Sequence, residues 1–404
     1  MATTGHAAVK GAMLRWARES AGLSLDAAAR AIGVTPARLA DAEADAGHIT
    51  VRQLRDAARV YARPMAAFFL PAPPHESAGV HDFRRLPGMP DDSLSPALRR
   101  ELRRLRRRRA VALELAEELG TPVPDVGIDL STTVDAEVAA TQVRTVLGVT
   151  TEVARTWSGP YETLAGWSAA VEARGVLVCQ TSDVELTEMR GLSLHERPLP
   201  AILLNGKDAP RGRLFTLLHE VAHVALRAGG VCDPLGRGAR GADAATETWC
   251  NRVAAATLVP LADLRAALGA RVAERSESMP EVLLDTLSRR FGASREVIAI
   301  RLREIGMVSA DAVARLLDTG RATTVARDEG GPVPRHRIVL RNNGRRFTRL
   351  VLDALVRDRI TWADASDFLE SRVKHFGPIA DTLDHPIARI AAAFPSAPSD
   401  ARGG

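Results

Sequence analysis

Apolar residues recur at helical spacing along most of this chain, and only a few short runs break that rhythm in a strand-like way. Residues 1–70 read as a compact helical bundle. It ends in the apolar stretch Met65 to Leu70, and Pro71-Ala72-Pro73-Pro74 then closes it. Residues 75–94 read as loop. Ser95-Pro96 opens a long helix, with serine as N-cap and proline at the first helical position. Leu98, Leu102 and Leu105 form its buried stripe, and it is expected to stop at Gly120. From about 129 the pattern becomes mixed. A helix is predicted over Thr163–Arg174, with strands at Val176–Cys179 and Pro200–Asn205. Helices follow near 211–228 and 243–258, joined by a glycine-rich loop, and 262–325 is helical again. The last 80 residues carry a strand-like Ile338-Val339-Leu340 and one or two helices, and the tail from Pro395 is expected to be disordered. The predicted fold class is therefore multidomain and mostly α, with an α+β core behind an all-α N-terminal bundle.

Composition narrows the class of protein. Of 404 residues, 46% are hydrophobic and 25% charged, which permits a buried core. No apolar run has the length of a membrane helix, and the N-terminus, interrupted by Lys10, Arg15 and Arg18, lacks the apolar core of a secretion signal. Cys179, Cys232 and Cys250 are too few and too scattered for a disulfide framework. A reducing cytoplasm, with no membrane partner, is the expected setting. The net charge is only +5, so what matters is where charge gathers. Eight arginines fall between Arg99 and Arg109, and they read either as a solvated helix face or as phosphate contacts.

The strongest chemical signal is Leu218-His219-Glu220-Val221-Ala222-His223 within an apolar stretch. On a helix, residues four apart share a face, so both imidazoles can reach one metal ion. Glu220 lies beside them and can reach a water in that site more easily than the metal. Glu247, on the next predicted helix, is the candidate third ligand, with Asp243 or Asp233 as alternatives. Asn251 is four residues further on and can bond a ligating histidine from behind. Cys250 reads as packing. The donor set suits Zn2+ with one open position, where a water could be activated and Glu220 could act as general base in peptide hydrolysis. Arg190, His195, His336 and His375 are candidates for the donor that steadies the oxyanion. A metzincin site is excluded, because Leu226 and Gly229 stand where glycine and a third histidine are required.

These residues carry a resemblance. Arg213 to His223, the Glu247-x-x-x-Asn251-Arg252-Val253-Ala254-Ala255 run, Leu258-Val259-Pro260 and the upstream Met189-Arg190-Gly191 resemble the ImmA/IrrE family of zinc metallo-endopeptidases over roughly 130–262. The resemblance implies a gluzincin-like peptidase core. It implies metal ligation by His219, His223 and Glu247, catalysis by Glu220, and cleavage of a helix-turn-helix repressor. Cys250 and Val253 depart from the residues common there, and neither departure removes a group that the chemistry needs.

The N-terminal bundle is similar to an XRE-type helix-turn-helix domain, through the run Leu25 to Leu39 with Ala29 at the helix crossing and Gly33 in the turn. That likeness places the helix starting near Thr35 in a major groove, with Thr35, Pro36 and Arg38 as candidate DNA contacts. Its charges, Arg38 against Asp41, Glu43 and Asp45, oppose phosphate binding, so a protein-interaction module is the alternative. The run Leu287 to Arg301 shows a second turn-like pattern that fits a scaffold better than a DNA reader.

The resulting division is 1–75 for the helix-turn-helix domain, 76–128 for a linker with the arginine helix and 129–262 for the metallopeptidase domain. A helical, helix-turn-helix-like subdomain follows at 263–325, and a C-terminal segment at 326–404. The expected function is a cytoplasmic zinc endopeptidase that regulates transcription, in a stress response, by cleaving a repressor or antitoxin. DNA is a further candidate partner and self-association as a homodimer is compatible. The alternative is a DNA-binding regulator or antitoxin whose metal domain is sensory or structural.

Overall fold

A computed structural model describes residues 7–73, 94–227, 230–232, 242–273, 281–320 and 333–387. The loop expected at 75–94 and the tail expected from Pro395 lie almost wholly outside the described residues, as does most of the glycine-rich stretch before Ala242. The chain divides into two compact units, Met1–Arg107 and Arg108–Gly404.

The first unit is all helical. It comprises α1 (Gly11–Ser20), α2 (Leu25–Ile32), α3 (Pro36–Glu43), α4 (Val51–Val60), a 3-10 turn at Met65–Phe69 and the first part of α5 (Pro96–Glu118). Local chemistry sets the boundaries. Ser24, Thr35 and Thr50 each accept a backbone N–H at a helix start. Gly33 ends α2 in the left-handed region (φ 78°), which a residue with a Cβ adopts only under strain. Ala28 and Ala29 are fully buried where α2 meets α3 and α4, beside Leu39 and Leu54. The start of α5 is as expected: Leu98 N–H donates to Ser95 Oγ at 3.1 Å, and Leu98, Leu102 and Leu105 are buried.

The second unit is an α+β assembly around a four-stranded sheet. Its helices before the sheet are α6 (Ala136–Leu147), α7 (Thr151–Arg155) and α8 (Gly159–Ala173). The strands are β1 (Leu177–Thr181), β2 (Gly191–Leu194), β3 (Ala201–Asn205) and β4 (Gly230–Cys232), in the order β1-β3-β2-β4. β1 runs parallel to β3, with Cys179 opposite Leu203, and β2 runs antiparallel to both β3 and β4. β2 and β3 are buried on both faces, which explains their nearly unbroken apolar sequence. Helix α9 (Pro210–Ala225) packs on β2 and β3, and α10 (Ala242–Leu258) packs on α9 and α6. Leu130 N–H donates to Ala225 O at 2.9 Å and Trp249 Nε1 to Val134 O at 2.7 Å, tying the segment before α6 to both helices.

One apolar core runs from Val126 to Val313 and takes in α11 (Leu261–Leu268), α12 (Glu281–Phe291), α13 (Arg295–Glu304) and α14 (Ala310–Gly320). The strand expected at Ile338–Leu340 is a helix instead, α15 (Arg335–Asn343). Three consecutive apolar residues cannot distinguish the two states. Here Val339 and Leu340 are buried together with Asn343, a helical spacing. Three further helices follow where one or two helices in all were expected: α16 (Arg345–Val356), α17 (Trp362–Phe368) and α18 (Phe376–Thr382). α15 and α16 lie against β1, and α16 also meets α8.

The arginine helix proves to be neither of its expected alternatives alone, since many of its guanidinium groups fasten the fold. In the first unit, Arg103 donates to Ser20 O at 2.8 Å and Arg99 to Leu94 O at 3.1 Å. In the second, Arg108 donates to Asn343 Oδ1 at 2.8 Å and Arg109 to Leu199 O at 2.9 Å. No single described helix is long and apolar enough to cross a membrane.

Candidate metal centre

Helix α9 starts at Pro210, whose missing N–H falls where the helix has no use for one. Every residue from Thr216 to Ala225 is buried, so the turns carrying His219, Glu220 and His223 are enclosed on all sides. His219 and Glu220 are 0% exposed and His223 6%. Polar groups at that depth need partners. His219 and His223 face one another, Nε2 to Nε2 at 3.0 Å. Glu247 on α10 reaches both, with its oxygens 3.3 Å from His219 Nε2 and 3.2 Å from His223 Nε2. Donors about 2.0–2.1 Å from a tetrahedral zinc ion stand about 3.3 Å from each other. The spacing of these three groups fits such an ion, and their donor atoms all lie within 4.8 Å of one another.

The surrounding groups agree with that fit at His219 and Glu247. At His223 burial opposes charge, but Cys250 and Glu247 outweigh it and raise the pKa to about 11, so a metal ion there has a proton to displace. His219 Nδ1 is 2.9 Å from Asn251 Oδ1. An amide oxygen only accepts, so Nδ1 carries the proton and the Nε2 lone pair turns toward Glu247 and His223. Burial lowers the His219 pKa, which favours the neutral, ligating form. Burial opposes ionisation of Glu247, but its bonds to His219 and His223 outweigh it and hold the carboxyl well below the usual range. Glu220 differs. Burial pushes its pKa up to about 7, and the neighbouring His223 and Ser193 favour the charged form without prevailing. Neither of its buried oxygens has a partner in hydrogen-bonding geometry among the described residues. A carboxyl kept dry, unpartnered and able to exchange a proton near neutrality is suited to acid–base work.

Of the residues singled out from the sequence, the structure brings His219, Glu220, His223, Glu247 and Asn251 into this one site. Asp233 and the side chain of Asp243, the alternatives to Glu247, lie outside the described residues. Cys250, read from the sequence as packing, is fully buried, and burial raises its thiol pKa, but the thiol also bonds to His223 and so borders the site. The donor candidates disperse. Arg190 is 3.0 Å from Asp208, His195 follows the last residue of β2, His336 lies in α15, and His375 precedes α18. Sequence reasoning gave no role to Gly191. A Cβ there would stand 2.3 Å from Thr216 Cγ2 and 3.2 Å from Glu220 Oε1, so only glycine lets β2 approach α9 at the carboxyl.

In the first unit, Thr35 is the N-cap of α3 and Pro36 its first residue, and Thr35 and Arg38 are exposed. The charge count on α3 needs correcting. Glu43 is buried against Arg18, at 2.7 and 2.8 Å, and Asp45 accepts the N–H of Gly11 at the start of α1. Only Glu43 is thus withdrawn from the surface, and Arg38, Asp41 and Asp45 stay exposed, so two acids rather than three oppose phosphate binding there.

Comparison with known proteins bears on both units. Residues 171–303 match the family model of the IrrE N-terminal-like domain, a peptidase family, and residues 11–67 match the model of a helix-turn-helix domain. Neither the curated proteins nor the solved structures give a match. The chain thus joins a helix-turn-helix domain, of a type that binds DNA, to an IrrE-like domain of metallopeptidase type whose buried His-His-Glu cluster could hold a metal ion.

Proposed function

We propose that this protein is a zinc-dependent endopeptidase that regulates transcription by cutting a helix-turn-helix repressor or antitoxin. The observation that carries the reading is the convergence of His219, His223 and Glu247 beside the partnerless Glu220. When bound, zinc would supply Lewis acidity, easing deprotonation of water and polarising the scissile carbonyl. Glu220 accepts the proton of the attacking water as its oxygen bonds to the carbonyl carbon. It then returns that proton to the amine as the C–N bond breaks. Asn251 keeps His219 in the ligating tautomer, and the apolar shell of α9 and α10 keeps bulk water away from Glu220. The helix-turn-helix unit brings the enzyme to DNA or to a related protein bound there.

The test pairs metal analysis with proteolysis. Purified wild-type protein should hold one zinc per chain and cleave helix-turn-helix proteins encoded beside its gene. Glu220→Gln should keep the zinc and lose cleavage by roughly 10²–10⁴-fold, whereas His219→Ala should lose both. Wild-type protein that takes up no metal, or a Glu220→Gln variant that cleaves normally, would overturn the proposal.

A second reading, a DNA-binding regulator with a structural metal domain, draws on the exposed Thr35 and Arg38 at the start of α3. It expects a promoter shift with steep salt dependence that Arg38→Ala weakens and Glu220→Gln leaves unchanged.

A further inference from the structure

Away from the paired histidines, the second unit contains a cavity of about 620 Å³ bounded by α8, β1, the first turn of α9 and the α15–α16 pair. That is the size range of small-molecule sites, which run from roughly 300 to 1,000 Å³. Its charge is one-sided. Arg213, Arg337, Arg341, Arg345 and Lys207 line it, against only Glu172 and Asp208, a formal excess of +3. Both acids are engaged within the protein. Asp208 is paired with Arg190 at 3.0 Å, and Glu172 accepts the backbone N–H of Arg346 at 3.1 Å in the first turn of α16. Asp208 is thus turned to Arg190, while Glu172 also feels the charge of Arg345, and the basic groups of the lining still outnumber the two acids.

The arrangement of the basic groups is regular. Arg337 and Arg341 are four residues apart on α15, so they share a face, and Arg345 opens α16 immediately after Gly344. Three guanidinium groups thus belong to one wall, where Arg345 Nη2 also donates to Thr382 O at 3.2 Å, and their combined charge favours an anion in the cavity. Planar, permanently charged guanidinium forks suit phosphate oxygens better than any other cationic side chain does. The rest of the lining is apolar, through Leu164, Val178 and Leu340. Tyr161 stands at the cavity, 56% exposed, and the Arg213 guanidinium carbon is 5.8 Å from its ring centre. Ser168 Oγ is buried in the same wall with no hydrogen-bond partner among the described residues.

We propose that this cavity is a binding site for an organic phosphate of nucleotide size, the phosphate held by Arg337, Arg341 and Arg345 and the body of the ligand lying on the apolar wall by Tyr161. The site is separate from the metal donors, and the proposal does not depend on peptidase activity.

Calorimetric titration of the full-length, metal-loaded protein tests it, with AMP, ADP, inorganic phosphate and hexanoate as probes. One nucleotide should bind saturably, one per chain, with inorganic phosphate competing weakly. The Arg337→Ala/Arg341→Ala double variant, altered at the cavity rim, should lose at least about tenfold in affinity, as expected when charged hydrogen bonds are removed. Ala165→Trp, which fills the cavity from α8, should abolish binding while thermal melts show both variants folded. The proposal is overturned if neither nucleotide binds below about millimolar concentration, or if hexanoate binds and the nucleotides do not. It is equally overturned if the double variant binds as the wild type does, which would place the nucleotide on arginines elsewhere in the chain.

Discussion

Glu43 and Glu220 are both buried glutamates on helices, 5% and 0% exposed, and the two units treat them in opposite ways. In the helix-turn-helix unit, Glu43 receives both Nε and Nη2 of Arg18, and that fork joins α1 to α3. In the peptidase-type unit, Glu220 is equally deep and has no hydrogen-bond partner for either oxygen among the described residues. A buried carboxyl without a partner is unfavourable by several kcal/mol, roughly, or gives up its charge. The first unit uses its acid for cohesion. The second holds an acid that no hydrogen bond among the described residues ties to its surroundings, as the proposed role of general base requires.

The comparison breaks most directly at the two glutamates themselves. Glu220→Gln is expected to remove nearly all cleavage while leaving the melting temperature of the second unit unchanged or raised. Glu43→Gln is expected to leave cleavage chemistry intact and destabilise the first unit by about 3 kcal/mol, since Arg18 then stays buried against a neutral amide. Hydrogen exchange of the α1 and α3 amides reads that loss locally, where a whole-chain melt would blend two units. Should Glu220→Gln destabilise its unit as much as Glu43→Gln does the other, the contrast drawn between them is wrong.

What can be read from the sequence follows the range of each interaction. The His219–His223 spacing is local and repeats the helical period, so the shared face shows in the order of the residues alone. Glu247 and Asn251 are legible for the same reason, one turn apart on a second helix. The Arg18–Glu43 pair is 25 residues apart in sequence and bears no periodic mark, so counting charges along α3 places Glu43 on the surface. β2 is four residues long, Gly191-Leu192-Ser193-Leu194, and buried on both faces, so alternation has no room to show. Gly191 is visible as part of a family-like run, but its approach to Glu220 is a tertiary fact. Ile338–Leu340 misleads because three apolar residues fit either state, and only packing against β1 decides it.

Glu172 offers a third buried glutamate, placed between the two extremes, and it sharpens the comparison through pH. Burial raises its pKa from 4.5 to about 7, while the backbone N–H of Arg346 pulls the other way without prevailing. The folded state therefore keeps the proton between pH 4.5 and 7, where the unfolded chain releases it. Stability from this group is complete below pH 4.5, falls as pH rises through that window and stays reduced above it, by about 3 kcal/mol. Glu172→Gln keeps the acceptor for Arg346 and has no charge to lose. The variant should match wild type near pH 4.5 and exceed it by up to that amount at pH 8, in urea unfolding of the second unit. A constant difference across the range would show that Glu172 keeps its charge when folded.

The smallest effect lies at Asn251, where neither partner is charged and the contact is one hydrogen bond. Its Oδ1 holds His219 Nδ1–H at 2.9 Å and so decides which ring nitrogen has the free lone pair. Asn251→Ala leaves His219, His223 and Glu247 in place but lets the imidazole choose its tautomer and turn. Zinc affinity should then fall by roughly 10–100-fold, measured by competition with a chelator, while the fold stays intact. Asn251→Asp retains the acceptor and makes the imidazole a stronger donor, so it should hold zinc at least as tightly as wild type. If both variants weaken binding equally, the contact acts by packing α10 against α9, and the ordering of His219 has another source. If only the alanine variant does, one neutral hydrogen bond tunes the centre, one residue away from the carboxyl of Glu220 proposed to take the proton.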